Sequence, residues 1–140
     1  MRTALIPAVL LLFASVLTIG QEAPAYQPKY PGDPAHSEAE AGAVGYMKTV
    51  VNAQKNYKHA HNEYSSTLAG LVGKGSFTRR MLKTDRGDYT VQFKGKADAY
   101  SVTMVPKTFD AQHRSFFVDE DGKIRVDDMK PATADSDVAH

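Results

Sequence analysis

The segment from Ser37 to Tyr64 constrains the fold more than any other part of the chain. Ser37 and Glu40 have the spacing of a capping box, which predicts that a helix begins here. Beyond them, apolar and aromatic residues recur at steps of four and three and so share one stripe of the helix. The members of this stripe are Ala39, Ala43, Tyr46, Val50, Ala53, Tyr57, Ala60 and Tyr64. A helix is rarely stable by propensity alone, so this stripe must pack against the rest of the chain.

The second half of the chain predicts the surface that covers the stripe. From Asp88 onwards, apolar and polar residues alternate with the period of half-buried strands. Four strands are predicted at residues 89–93, 100–105, 114–119 and 123–127, with glycine-containing turns in two of the connections. The residues expected on their apolar face are Tyr89, Val91, Phe93, Tyr100, Val102, Met104, Phe117, Ile124 and Val126. The sequence therefore predicts an α+β fold in which one long N-terminal helix packs on a four-stranded antiparallel sheet.

The two ends of the chain differ from this predicted domain, which covers residues 37–127. Residues 1–20 carry one arginine and then an uncharged apolar run, as a secretory signal peptide does, and a retained membrane anchor is the alternative. Residues 21–36 hold four prolines and predict an extended linker or an arm on the surface. Residues 128–140 are polar and predict a disordered tail. We expect a secreted, periplasmic or cell-surface protein with no stable membrane span after signal cleavage.

A cluster of basic residues lies between the predicted helix and sheet. Its members are Lys74, Arg79, Arg80, Lys83 and Arg86, with Asp85 as the one acidic neighbour. Such a cluster can bind an anionic polymer such as DNA or an acidic polysaccharide, although Phe77 is the single aromatic residue within it. A solvated loop, or a loop that faces an acidic patch on a neighbouring subunit, is the other interpretation. The last part of the chain, residues 119–140, has the opposite character, with seven acidic and three basic residues.

The residues that suggest metal binding or catalysis do not form a complete set. His59 and His61 are two positions apart on a helix, about 200° around its axis, so their imidazoles cannot share a metal. The turn from Asp119 to Gly122 has three carboxylates, which Ca²⁺ prefers, but calcium needs six or more oxygen ligands and a hairpin turn explains the pattern. The chain has no cysteine, no G-x-S-x-G turn and no glycine-rich phosphate loop. We therefore predict no enzyme, no catalytic residue and no cofactor.

Several short segments, taken in order, resemble the head domain of type IV pilins and of the pseudopilins of type II secretion. The order and spacing of these segments agree across residues 37–127. The segments are Lys48–Gln54 with Tyr57 in the helix, Asn62–Tyr64 with Leu68 and Leu71 at its exit, Tyr89–Val91 and Tyr100–Thr103 with Pro106 in the first two strands, and Arg114–Asp119 with Gly122–Arg125 in the last hairpin.

This resemblance implies a non-enzymatic structural or interaction protein. The expected role is that of a pilin-like or pseudopilin-like subunit, or an accessory factor, of an extracellular assembly or secretion apparatus. Its expected partners are other protein subunits, including further copies of itself. The chain lacks the recognition motif of the prepilin peptidase, and prolines separate its apolar segment from the helix, so the resemblance implies the head and not a continuous stalk. A binding module for an anionic polymer, which uses the basic cluster from Lys74 to Arg86, is the alternative function.

Overall fold

The computed structural model describes residues 25–140, and the predicted signal peptide lies outside them. Helix α1 (Glu38–His61) packs against one face of an antiparallel sheet. The strands are β1 (Asp85–Arg86), β2 (Tyr89–Lys96), β3 (Ala99–Pro106), β4 (Ser115–Asp119), β5 (Arg125–Asp127) and β6 (Asp137–Val138). The predicted α+β class is confirmed, but the sheet has six strands in sequence order and not four. None of the helices within residues 25–140 is long and apolar enough to cross a membrane.

Helix α1 begins where the sequence predicts. The Ser37 hydroxyl accepts a hydrogen bond from the Glu40 N–H at 3.1 Å, which caps the first turn. In a capping box the Glu40 carboxylate would accept from the N–H of Ser37. Here it accepts instead from the N–H of His36 at 2.7 Å. The helix ends at His61, earlier than predicted, because Asn62 adopts a left-handed conformation with φ of 59°.

The core lies between the middle of α1 and the inner face of β2, β3 and β4. Helix residues Tyr46, Met47, Val50 and Ala53 are all buried. Across the sheet, the register places Val91 opposite Met104 and Met104 opposite Phe116, so these three side chains share the inner face. The packed residues of the two layers form a single apolar cluster.

The prediction that Phe117 faces the core is wrong. Phe116 and Val118 are fully buried on the inner face, and Phe117 is half-exposed on the opposite face beside Thr103. Two phenylalanines stand next to each other in the sequence, so alternation alone cannot choose between them. The pairing with β3 decides the register.

The prediction of a disordered tail is also wrong for part of residues 128–140. Strand β6 pairs with β5, and Ala132 is buried on the outer face of the sheet. The Ala132 N–H donates to the Ser115 hydroxyl at 2.9 Å, and the Arg125 guanidinium donates to the Ser136 carbonyl at 3.1 Å. These few backbone and side-chain contacts order a segment that has little apolar surface of its own.

The described part of the predicted linker, residues 25–36, is an arm that lies against α1. Lys29 pairs with Glu38 at 2.8 Å, and the Lys48 ammonium lies over the Tyr30 ring, 3.8 Å from its centroid. Inside the arm, the Tyr26 hydroxyl donates to Asp33 at 2.6 Å. The arm therefore has several polar contacts that hold it beside the start of the helix.

A buried ion pair joins the helix, the arm and the sheet. Arg114, directly before β4, donates from Nε and Nη2 to the two carboxylate oxygens of Glu40 at 2.9 and 2.8 Å. Its backbone N–H donates to the same carboxylate at 3.0 Å, and Nη2 also donates to the Pro34 carbonyl at 2.7 Å. Burial alone would raise the pKa of the Glu40 carboxyl, but these hydrogen bonds and the one from His36 outweigh it and lower the pKa.

Candidate interaction surface

The segment between α1 and β1 reverses direction and runs back along the helix. The buried Gln54 side chain fixes this reversal, because its amide accepts from the Ser65 N–H at 2.8 Å and donates to the Ser65 carbonyl at 3.0 Å. Further along, Gly75 comes so close to Asn52 that a Cβ at this position would lie 2.7 Å from the Asn52 amide nitrogen. The Tyr46 hydroxyl then donates to the Met81 carbonyl at 2.9 Å. Residues 65–84 therefore lie beside α1 and lead into edge strand β1.

This path brings the five predicted basic residues to one side of the molecule. Arg79 and Arg80 lie on a short 3₁₀ helix (Arg79–Leu82), and both are exposed, as is Lys83. Lys74 is half-buried beside Gly75, and the Arg86 guanidinium lies over the Tyr46 ring, 4.4 Å from its centroid.

Within residues 25–140, none of these five side chains forms an ion pair. Asp85, the acidic neighbour in the sequence, pairs instead with Lys107 at 2.7 Å. The positive charges of Arg79, Arg80 and Lys83 are therefore left available on the surface.

We call these five residues, Lys74, Arg79, Arg80, Lys83 and Arg86, the basic surface. They are the residues that the sequence predicts as a cluster. Acidic residues are rare in this part of the chain, since Glu63 is the one acidic residue between Glu40 and Asp85.

The other candidate sites have structural roles or stay incomplete. His59, His61 and Glu63 are exposed at the end of α1, and no group of three or more residues placed to hold a metal occurs in the described residues. In the turn from Asp119 to Gly122, Asp119 accepts from the Asp121 N–H at 3.0 Å, and Asp121 accepts from the Lys123 N–H at 2.7 Å. These carboxylates accept hydrogen bonds from backbone groups of their own hairpin turn, which agrees with the interpretation of this segment as a turn.

A cluster around His113 was not foreseen from the sequence. The imidazole lies between two carboxylates, with Nδ1 2.8 Å from Asp110 and Nε2 3.1 Å from Asp88. The hydrogen bond to Asp110 raises the pKa of His113, helped by Asp88 and against the smaller opposing effect of desolvation. The same hydrogen bond lowers the pKa of the Asp110 carboxyl. Asp88 is 25 residues from His113 in the sequence, so no local pattern reveals this bridge.

His113 should make the stability depend on pH near neutrality. Because its pKa is raised in the folded state, its contribution is fully present below the usual pKa of about 6.5 and is lost as the pH rises through the higher folded value. We expect His113→Gln to reduce the fall in melting temperature between pH 5 and pH 8, measured by circular dichroism. Gln112→Ala, which changes an exposed neighbour that does not titrate, is the control and should leave the slope unchanged. An identical slope for wild type and His113→Gln would contradict the bridge.

Comparison of the chain with protein-family models, with curated proteins and with solved structures finds no match. The pilin-head resemblance therefore stays a prediction, and inferences about function depend on the chain's own residues.

Proposed function

We propose that the protein is a non-enzymatic interaction subunit that works outside the cytoplasm and binds an acidic partner through its basic surface. In this role it is a pilin-like or pseudopilin-like subunit, or an accessory factor, of an extracellular assembly or secretion apparatus. The observation that carries the proposal is the grouping of five cationic side chains along one segment, none of them in an ion pair within the described residues. Like charges held together repel one another, and an acidic partner surface turns this cost into attraction and faster encounter.

Two further observations support the role. The apolar pattern of residues 1–20 favours export from the cytoplasm. The helix packed on an antiparallel sheet is the architecture that the resemblance to pilin heads implies. The hydrogen bonds of Gln54 and Tyr46 hold the backbone of the reversed segment beside α1, which favours a defined binding partner for the basic residues that it carries.

An anionic polymer is the second candidate partner. The basic surface follows one segment from Lys74 to Arg86, so it presents charge along a track as polymer-binding surfaces do. However, Phe77 is 1% exposed and packs on Tyr46, so the aromatic residue of the cluster is not available to stack on bases. Binding to DNA or polysaccharide would therefore depend on backbone charge alone and would weaken steeply with salt.

Charge reversal at Arg79 and Arg80 tests both candidates. We expect wild-type protein to bind fluorescent polyglutamate at about 50 mM salt, where screening extends over roughly 14 Å. Arg79→Glu with Arg80→Glu should weaken this binding about tenfold or more, because two attractive contacts become repulsive. Fluorescence anisotropy of the labelled peptide measures the change.

A matched variant separates a local effect from one of net charge. Lys94→Glu with Lys96→Glu reverses two exposed lysines on β2, outside the basic surface, and should leave polyglutamate binding close to that of wild type. Equal binding by the Arg79/Arg80 variant and wild type would overturn the role of the basic surface. Tight binding of duplex DNA or heparin at about 150 mM salt, sensitive to the same variant, would favour the polymer over an acidic protein.

A further inference from the structure

We infer that the acidic partner is the opposite edge of a second copy of this chain, so that copies associate head to tail. This inference rests on the proposed function, since it assigns the partner of the same basic surface. It follows from where the fold places the two charged regions and from the shape of the acidic one.

The order of the strands puts the two regions at opposite edges of the sheet. Arg86, at one end of the basic surface, lies in edge strand β1, and Asp137 lies in edge strand β6. With neighbouring strands about 4.8 Å apart, five spacings separate the edges by roughly 24 Å. The two regions are therefore too far apart to neutralise each other within one molecule, since this distance exceeds the screening length of about 8 Å at physiological salt.

The edge formed by β5, β6 and the loop between them is concave and acidic. It holds an open hollow of about 940 Å³. Its lining residues include Asp127, Asp128, Asp135 and Asp137. No ion pair involves these four aspartates within residues 25–140. We call these four residues and their hollow the acidic edge.

Two cationic residues, two apolar residues and a serine also line the acidic edge. Arg114 is already engaged by Glu40, so its charge is largely compensated, and Lys130 leaves a net negative lining. Asp127 accepts hydrogen bonds from the Met129 and Lys130 N–H groups at 2.9 and 3.0 Å, which shape the loop. The Met129 side chain is 86% exposed and offers a flexible apolar contact at the rim.

The basic surface has the matching features. Arg79 and Arg80 are exposed neighbours on the 3₁₀ helix Arg79–Leu82, and their two guanidinium groups can each form paired hydrogen bonds with a carboxylate. Met81 and Leu82 on the same turn pack partly on the core, and their remaining exposed surface can contact Met129 of the second copy. The contact joins different surfaces of the two copies, and each copy keeps one surface free. Such a heterologous contact adds further copies instead of stopping at a dimer.

Sedimentation velocity at about 50 mM salt tests the inference on the full domain. Wild-type protein should show a weight-average sedimentation coefficient that rises with concentration and falls toward the monomer value at about 0.5 M salt, where charges are screened. The basic-reversed variant, Arg79→Glu with Arg80→Glu, should stay monomeric. The acid-reversed variant, Asp135→Lys with Asp137→Lys, should stay monomeric as well.

Mixing the two variants gives the decisive result. An equimolar mixture should associate again, because the intact acidic edge of one meets the intact basic surface of the other. The two reversed surfaces also attract each other, because the basic-reversed surface of one variant is now acidic and the acid-reversed edge of the other is now basic. The control pair Lys94→Glu and Lys96→Glu should associate like wild type. A mixture that remains monomeric would overturn the assignment of these two surfaces, and a wild type that remains monomeric at about 1 mM would overturn self-association.

Polyglutamate binding distinguishes a failure of this inference from a failure of the proposed function. Binding of the peptide, lost on reversal of Arg79 and Arg80, together with a monomeric wild type would overturn the second copy as partner and leave the basic surface as a binding surface. A wild type that neither binds polyglutamate nor self-associates would overturn both the proposed function and this inference. Circular dichroism of each variant confirms that the fold is retained before either comparison is made.

Discussion

Replacing Glu40 by alanine is expected to lower the free energy of unfolding by about 3–5 kcal/mol, because it leaves the guanidinium of Arg114 without its buried counter-charge. The side chain of Glu40 is completely buried, and that of Arg114 is 12% exposed. Typical domains are stable by about 5–15 kcal/mol, so the loss is a large part of the total. Urea unfolding followed by circular dichroism measures it.

Glu38→Ala is the matched control, in the same helical turn. Glu38 pairs with Lys29, but its side chain is 76% exposed, and a surface pair of this kind contributes about 0–1 kcal/mol. Equal losses for the two variants would contradict the buried ion pair. The folded pKa of Glu40 is lowered, so its contribution should be present above the usual carboxyl range and be lost as the pH falls through the folded value.

Replacing Val50 by aspartate is expected to unfold the domain at room temperature. Val50 is fully buried where α1 meets the sheet. The change removes about 1.5–3 kcal/mol of apolar burial and introduces a polar group without a partner. The second effect adds several kcal/mol, whether the carboxylate stays charged or takes up a proton. Loss of the far-ultraviolet and near-ultraviolet circular dichroism signals would show the effect.

Gly45→Asp provides the comparison for Val50, because it adds the same charge on the exposed face of α1, where an added Cβ would meet nothing within 4 Å. We expect its melting temperature to remain close to that of wild type. An unchanged melting temperature in Val50→Asp would mean that the middle of α1 does not pack on the sheet as described.

Local patterns explain which parts of the fold were predictable. The start of α1 and the β2–β3 hairpin depend on residues within a few positions of one another, so capping and alternation suffice to predict them. Strands β1 and β6 have two residues each, which is too short for any alternation to show. To predict which face of the sheet Phe117 lies on, one has to know how β4 pairs with β3, and the local sequence pattern does not show this pairing.

Long-range contacts explain what was missed in the candidate surface. Glu40 pairs with Arg114, which is 74 positions away in the sequence. The capping pattern indicated a partner within the first turn of the helix instead. The five basic residues of the loop were visible as a cluster in the sequence. Their position beside α1 depends on the contact of Gln54 with Ser65, which turns the chain back along the helix.

The sequential order of the strands also has a consequence for how the chain folds. Every strand of the described sheet pairs with its neighbour in the sequence, so hairpins can form one after another with short loops to close. Docking of α1 is different, because it joins the beginning of the domain to β4. We expect the hairpins to form before the Glu40–Arg114 contact. Loss of that contact should then accelerate unfolding much more than it slows folding.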